Sequence, residues 1–149
     1  MGKEVSLSNS ITLYAIWAKT VTVTYYPNGR GTVPATTYAV IYNEATSTGN
    51  ITIGNINSTT IDGYTFQGWG TSSDAQSGNA SYAPNKVITI SSNLNLYAVW
   101  KKTIYLKYDK NGRGTMPATQ NITIYNTAEN ATFAAAGSPT NTTVDGYVF

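Results

Sequence analysis

Leu96-Tyr97-Ala98-Val99-Trp100 is an apolar run whose side chains are hydrophobic on both faces of an extended chain. Such a run is typical of a strand in the middle of a sheet, where both faces are covered. The same pattern occurs 83 residues earlier, as Leu13-Tyr14-Ala15-Ile16-Trp17. The run therefore predicts a central strand, and its recurrence indicates that the chain is built from repeats.

Two further motifs recur at the same offset. Asn28-Gly29-Arg30-Gly31-Thr32 occurs again at 111–115, and Asp62-Gly63-Tyr64-Thr65-Phe66 occurs again at 145–149 with one change. Three separate motifs at one constant offset of 83 residues leave little room for chance. The offset therefore gives the length of one repeat.

The motifs also fix the predicted domain boundaries. Residues 1–17 correspond to the C-terminal strands of a preceding repeat, 18–100 form one complete repeat, and 101–149 form the N-terminal part of a following repeat. A gapless alignment of 18–66 with 101–149 gives 22 identities in 49 positions. We expect the parent protein to be longer, with at least three copies in tandem.

The composition favours β-structure. Of 149 residues, 51 are Thr, Asn or Ser and 12 are Tyr, whereas only 11% are charged. Thr and Tyr favour strands, and Asn, Ser and Gly favour turns. Residues 20–26 alternate apolar and polar side chains, and Asn28-Gly29 is a strong turn signal. We expect a β-rich (α+β) fold with at most one short helix per repeat, near 131–136, and an irregular stretch at 43–60.

Composition also excludes several classes of function. The net charge is +2 without a dense basic run, which argues against nucleic-acid binding. The chain has no Cys and no His, and only seven carboxylates, so no cofactor, metal site or enzymatic activity is predicted. No apolar run is long enough for membrane insertion, and the N-terminus lacks a signal-peptide core. A signal and an anchor are expected outside this sequence.

Gly63-Tyr64-Thr65-Phe66-Gln67-Gly68-Trp69, preceded by Asn28-Gly29 and followed by the closing run 96–100, resembles the Listeria–Bacteroides repeat, also called the internalin B-repeat. The resemblance implies a β-grasp, ubiquitin-like module that stands in tandem in extracellular, cell-wall-attached bacterial surface proteins. It implies no catalytic residues. The family usually has a second glycine directly after Asn-Gly, and this sequence departs from the pattern with Arg30 and Arg113 at that position.

The aromatic residues of the motifs have two interpretations. They could form a platform for sugar rings, but alternation sends Leu96, Ala98 and Trp100 to one face, which favours a core role. The predicted core aromatic residues are Trp17, Trp69, Trp100, Tyr64 and Tyr97.

Two hypotheses of function follow. The first is a non-catalytic stalk or spacer repeat of an adhesin, whose partners are the neighbouring repeats. The second is a binding module for a host surface protein or glycan. Its candidate binding residues are the two turn arginines Arg30 and Arg113 and the tyrosines Tyr26, Tyr38 and Tyr42, with Tyr82 and Tyr125 in the same exposed pool.

Two sets of equivalent charged residues, one of aspartates and one of lysines, have alternative interpretations. Asp62 and Asp145 precede Gly-Tyr and are predicted to be turn residues rather than an acid–base pair, because they belong to different repeats. Lys19 and Lys102 lie at equivalent boundaries and would form isopeptide cross-links only if they were buried.

Residues 1–17 are predicted to complete the partial repeat 101–149, either within one chain or between chains. Residues 101–149 lack the closing strands, and 1–17 carry a copy of them with matching alternation. Strand exchange could occur within one chain or between chains, and the sequence leaves both open, with a slight preference for exchange between chains.

Overall fold

The described part of the chain consists of β-strands joined by turns and loops. A computed structural model describes residues 4–43, 47–73, 78–126 and 134–149. Within these ranges the strands are β1 Ala18–Tyr26, β2 Thr37–Tyr42, β3 Gly49–Thr52, β4 Thr60–Ile61, β5 Tyr64–Gly70, β6 Val87–Ile90, β7 Leu94–Leu106, β8 Gln120–Tyr125, β9 Thr143–Val144 and β10 Tyr147–Val148.

The main sheet is mixed and has the strand order β2-β1-β7-β5-β4, with β8 also paired to β7. β1 and β7 are parallel, and the other pairs are antiparallel. Two further pairs, β3 with β6 and β9 with β10, form separate two-stranded sheets. The prediction of a β-rich fold is therefore confirmed. The β-grasp resemblance stays a prediction, because no helix crosses the sheet in the described ranges.

β7 is the central strand, as the sequence predicts. β1 lies on one edge of its N-terminal half and β5 lies on the other. Leu96, Ala98, Val99 and Trp100 are all almost fully buried, because this strand is covered on both faces. β7 continues without a break for 13 residues, to Leu106.

The core lies on one face of the main sheet, beneath the β3–β6 pair. Val21 and Val23 point to this face from β1, alternating with outward-facing threonines. Ile51 and Ile53 contribute from β3 and the residues after it, and Ile90 contributes from β6. β3 was not predicted: residues 43–60 contain this short strand, because pairing with β6 satisfies its backbone groups.

A bulge in β5 shapes the strand around the motif Gly-Tyr-x-Phe-x-Gly-Trp. The register between β5 and β7 shifts between Phe66 and Gly68. Gly68 has a φ of 129°, and a Cβ there would lie 3.0 Å from the carbonyl oxygen of Tyr82. The glycine of the motif is therefore required by backbone conformation and by the close approach of the next loop.

The Asp-Gly turns join β4 to β5 and β9 to β10. Asp62 and Gly63 have φ values of 51° and 77°, and Asp145 and Gly146 have values of 51° and 79°. Positive φ at both central residues is typical of two-residue hairpin turns. The two repeats thus form this hairpin in the same way.

Two segments that were expected to form secondary structure, 1–17 and 131–136, contain none in their described residues. Residues 4–17 contain no strand, and the assignment of 1–17 to the end of a preceding repeat stays a prediction. They are exposed, and Trp17 pairs with Asn43, the residue after β2, through two hydrogen bonds. Of the stretch 131–136, residues 131–133 lie outside the described residues and 134–136 are not helical.

The described residues contain no helix long and apolar enough to span a bilayer.

Candidate functional site

Trp69 and Trp100 are fully buried in the complete repeat, residues 18–100. The indole N–H of Trp69 donates to the carbonyl oxygen of Gly54 at 2.9 Å, and that of Trp100 donates to the carbonyl oxygen of Pro27 at 2.9 Å. Phe66 lies between them, with ring centroids 5.2 and 5.5 Å away. Neither indole is therefore available as a platform for a sugar ring.

The other predicted core aromatic residues differ in their burial. Tyr64 is buried, with 4% of its surface exposed. Tyr97 is half-buried and stacks on Tyr26, with ring centroids 4.8 Å apart. Trp17 is 72% exposed, so its assignment to the core is wrong. It lacks the strands that cover Trp100 in the complete repeat.

Tyr26, Tyr38 and Tyr42 lie on one face of the main sheet, opposite the core. Tyr38 and Tyr42 are 71% and 55% exposed, and they alternate on β2 with the core-facing Ile41. Tyr38 is directly opposite Thr22, which shares a face of β1 with Tyr26. We call Tyr26, Tyr38, Val40 and Tyr42 the aromatic face.

The following repeat, residues 101–149, does not reproduce the aromatic face. At the positions equivalent to Tyr26 and Tyr38 it has Asp109 and Asn121, 83 residues later. Tyr125 corresponds to Tyr42 but is half-buried. Tyr82, also placed in the exposed pool, is half-buried and packs against the core. The aromatic face is thus a property of the complete repeat.

Arg30 is half-buried and engaged, rather than free at the tip of a turn. Its guanidinium carbon lies 3.5 Å from the centroid of the Tyr64 ring, a cation–π contact. Its side chain also donates a hydrogen bond to the carbonyl oxygen of Asn126, in the following repeat. Both contacts hold the turn after β1 against the boundary between the two repeats.

Arg113 lies in the equivalent turn of the following repeat and is exposed. Its guanidinium carbon is 3.9 Å from the centroid of the Tyr147 ring, so the cation–π contact is repeated. Tyr147 is 61% exposed, in contrast to the buried Tyr64. The two arginines therefore have equivalent aromatic neighbours, Tyr64 and Tyr147, but differ in accessibility.

The boundary between the repeats is an extended, hydrogen-bonded junction. β7 crosses it, because this strand contains both Trp100 and Lys101. Lys101 pairs with Thr65 of β5 on one side and with Tyr125 of β8 on the other. Beyond the boundary, β8 therefore pairs with the same edge of β7 that β1 pairs with before the boundary. The junction is therefore a continuous sheet rather than a linker.

Side chains reinforce the junction from both repeats. The Lys102 ammonium nitrogen donates to the carbonyl oxygen of Asp62 at 3.2 Å. The ring of Tyr125 packs so closely on Gly78 that a Cβ there would lie 2.6 Å from the ring. Each contact joins a residue beyond the boundary to a loop of the complete repeat.

Asn126 is the junction residue that the sequence analysis missed. It is 1% exposed, and its side-chain oxygen accepts a hydrogen bond from the backbone N–H of Trp100 at 2.8 Å. Its own N–H donates to the carbonyl oxygen of Trp100 at 2.8 Å. Asn43 makes the same pair of hydrogen bonds with Trp17, at 3.2 and 2.8 Å. The recurrence of Tyr-Asn at the end of β2 and β8 was the available signal.

The described residues offer little for catalysis or metal binding. They contain no group of His, Cys, Asp and Glu side chains that could hold a metal ion. Asp62 and Asp145 occupy separate hairpin turns. Lys19 is exposed and Lys102 is half-buried, so neither has the burial that an isopeptide cross-link needs.

Comparison with known proteins gives one match. The family profile described as the Listeria-Bacteroides repeat domain matches residues 22–99, more than half of the chain. No curated protein and no solved structure matches the chain significantly. The matched range covers the complete repeat almost from end to end.

Proposed function

The chain belongs to the Listeria-Bacteroides repeat family, and from that premise we propose that it is a non-catalytic tandem repeat of an extracellular bacterial surface protein. In this proposal the repeat acts as a stalk or spacer of an adhesin, and its permanent partners are the neighbouring repeats. Nucleic acid and membrane insertion have no part in it.

The observation that carries this proposal is the unbroken strand β7. A spacer has to transmit position from one repeat to the next, and a continuous strand does so without a flexible joint. The contacts of Arg30, Lys102 and Asn126 further restrict bending at the boundary. A chain of such junctions would be extended, because each repeat continues the strand direction of the last.

Distance measurement across the junction tests the spacer role. The chain has no cysteine, so Tyr38→Cys and Asn121→Cys place a spin label at equivalent, exposed positions of the two repeats. Tyr38 is level with Asn93, through Thr22 and the parallel register of β1 and β7, and Asn121 is opposite Tyr105. Twelve residues of strand separate those levels, which gives about 40 Å at 3.3 Å per residue.

Double electron–electron resonance should give one narrow distribution near that distance. A second pair within the complete repeat, Tyr38→Cys with Val87→Cys, gives the width expected of a rigid body. Combining the cross-junction pair with Arg30→Ala and Lys102→Ala should broaden its distribution. A distribution as broad in the unmodified junction as in that variant would contradict the spacer role.

A second function is favoured by the aromatic face. Exposed tyrosines aligned on one face of a sheet offer flat apolar surfaces with hydroxyl groups, which suit a sugar ring or a protein surface. Tyr38 and Tyr42 are four residues apart on β2, about 13 Å. The following repeat has Asn121 in place of Tyr38 and keeps a tyrosine, Tyr125, only at the position of Tyr42. This difference supports a role specific to residues 18–100.

A glycan array and a pull-down with host surface proteins test this second function. The double variant Tyr38→Ala with Tyr42→Ala should lose any ligand that the parent chain binds. Tyr105→Ala is a matched control, since Tyr105 is 61% exposed and lies outside the aromatic face. Equal binding by the double variant and the control would reject the aromatic face as the binding site.

A further inference from the structure

β2 forms an open edge of the main sheet. It is the first strand in the order β2-β1-β7-β5-β4, and no strand of the described ranges pairs with its outer side. The opposite edge is β4, which has only 2 residues, whereas β2 has 6. A very short edge gives another strand little backbone to pair with. β2 is therefore the edge of this sheet that can accept a further strand.

The hydrogen bond at the end of β2 shows which backbone groups face outward. The N–H of Asn43 donates to the carbonyl oxygen of Trp17 at 2.8 Å, and this pair continues the register of β1 and β2. Hydrogen-bonded and non-hydrogen-bonded pairs alternate along an antiparallel ladder. The backbone of Ala39 therefore bonds to β1, whereas the N–H and C=O groups of Tyr38 and Val40 point away from it.

The side chains of Tyr38 and Val40 leave this edge accessible. The two residues are 71% and 41% exposed, and both belong to the aromatic face. The equivalent residues of β8, Asn121 and Thr123, are also exposed, although a complete repeat precedes them. The open edge is therefore a property of the repeat that persists where a neighbouring repeat is joined to it.

The sequence of β2 contains none of the residues that usually keep an edge strand from pairing. Edge strands commonly carry a lysine, a proline or an inward-pointing charge that opposes pairing with another chain. Residues 37–42, Thr-Tyr-Ala-Val-Ile-Tyr, include no charged residue and no proline. Their β-branched and aromatic side chains instead favour strand pairing. The net charge of the chain is +2, so two copies repel each other weakly.

We propose that β2 pairs antiparallel with β2 of a second copy of this chain, about a two-fold axis at Ala39. The N–H of Tyr38 donates to the carbonyl oxygen of the second copy's Val40, and the N–H of that Val40 donates to the carbonyl oxygen of Tyr38. The two-fold axis repeats this pair of hydrogen bonds, so the outward-facing groups of both residues are satisfied in each copy. The carbonyl oxygen of Tyr42 takes no part, because it accepts a hydrogen bond from Ser47 Oγ at 2.6 Å.

A second copy fits this edge because β2 is complementary to itself. In the proposed register Tyr38 of each copy lies beside Val40 of the other on the same face of the sheet. Aromatic and β-branched residues stabilise a sheet when they are paired across strands. No like charges meet, since β2 has none. The two main sheets join into one and their aromatic faces become continuous, which associates two chains side by side whether or not the repeat is a spacer.

Sedimentation velocity of the full chain and three variants tests the proposal. Val40→Lys places a charge on the edge, and Val40→Pro removes the N–H that bonds to the second copy. Both leave the hydrogen bonds with β1 in place, because the backbone of Val40 points away from β1. Thr20→Lys is the matched control, since Thr20 is exposed and lies opposite Val40 on the same face, one strand in from the edge.

The unmodified chain and Thr20→Lys should form dimers as concentration rises. Val40→Pro should weaken dimerisation about tenfold or more, because each copy loses one hydrogen bond across the axis. Val40→Lys should weaken it as well, and thermal denaturation checks that each variant remains folded. An unmodified chain that stays monomeric, or folded Val40 variants that dimerise like Thr20→Lys, would overturn the proposal.

Cysteine cross-linking tests the register independently, since the chain has no cysteine of its own. A mixture of Tyr38→Cys and Val40→Cys should form a disulfide between the two variants under mild oxidation. Each variant alone should form far less dimer, because identical positions lie diagonally across the two strands and are too far apart for a disulfide. A mixture without the disulfide, or equal cross-linking of Tyr38→Cys alone, would refute the pairing about Ala39.

Discussion

Replacing Asn126 with alanine should destabilise the complete repeat far more than the same change at Asn43. Both residues have a positive φ, 52° and 65°, and both accept a hydrogen bond from the backbone N–H of a tryptophan. They differ in burial, because Asn126 is 1% exposed and Asn43 is exposed. The pair therefore separates the cost of a buried unsatisfied group from the cost of backbone strain.

The magnitude follows from what each substitution leaves behind. At Asn126, alanine leaves the buried N–H of Trp100 without its acceptor, which costs about 1–3 kcal/mol. At Asn43, water replaces the lost acceptor, so that term is close to zero. Forcing alanine into the left-handed region adds about 1–2 kcal/mol at both positions. The difference between the two variants is therefore about 1–3 kcal/mol.

Urea denaturation followed by tryptophan fluorescence measures both free energies of unfolding. For a chain of this length the difference corresponds to about 2–12 °C in Tm. Asn126→Gly is a useful control, since glycine accepts the backbone conformation and removes only the hydrogen bond. Equal losses for Asn126→Ala and Asn43→Ala would refute the argument that the buried amide stabilises the junction.

Two further predictions use the same pairing of equivalent residues. Trp100→Ala should cost about 3–5 kcal/mol, because it removes a fully buried indole, whereas Trp17→Ala should change stability by less than about 0.5 kcal/mol. Thermal denaturation checks both, and similar losses at the two sites would contradict the assigned burial. Arg30→Ala should speed proteolytic cleavage near the junction, because it removes a cation–π contact and a charge-assisted hydrogen bond, whereas Arg113→Ala should not. Cleavage timed by mass spectrometry distinguishes them, and equal rates would count against the contact with Asn126.

The sequence predicted the elements that depend on local pattern. Alternation between Thr20 and Tyr26 predicted β1, because one face of a half-buried strand has to be apolar. The two-faced run at 96–100 predicted a central strand, and that position is confirmed. It did not predict β3, because Gly49–Thr52 has one large apolar residue, Ile51, and becomes a strand only through pairing with β6.

Burial of the tryptophans depended on more than the motif. Leu13-Tyr14-Ala15-Ile16-Trp17 and Leu96-Tyr97-Ala98-Val99-Trp100 are nearly identical, yet Trp17 is 72% exposed and Trp100 is fully buried. A side chain is buried only where other elements cover it, and residues 4–17 have no such neighbours in the described chain. The motif gives a strand its apolar character, whereas the surrounding sheet decides whether that strand forms.

By itself the sequence determined the repeat length, the β-rich class and the family, because each of these follows from residue order along the chain. Only the tertiary structure decided that Arg30 belongs to the junction, that Asn126 is buried there, and that β7 runs through the boundary at Trp100 and Lys101. These properties depend on which distant segments meet, since Arg30 and Asn126 are 96 residues apart in the chain. Local pattern carries no information about such a contact until the sheet has been assembled.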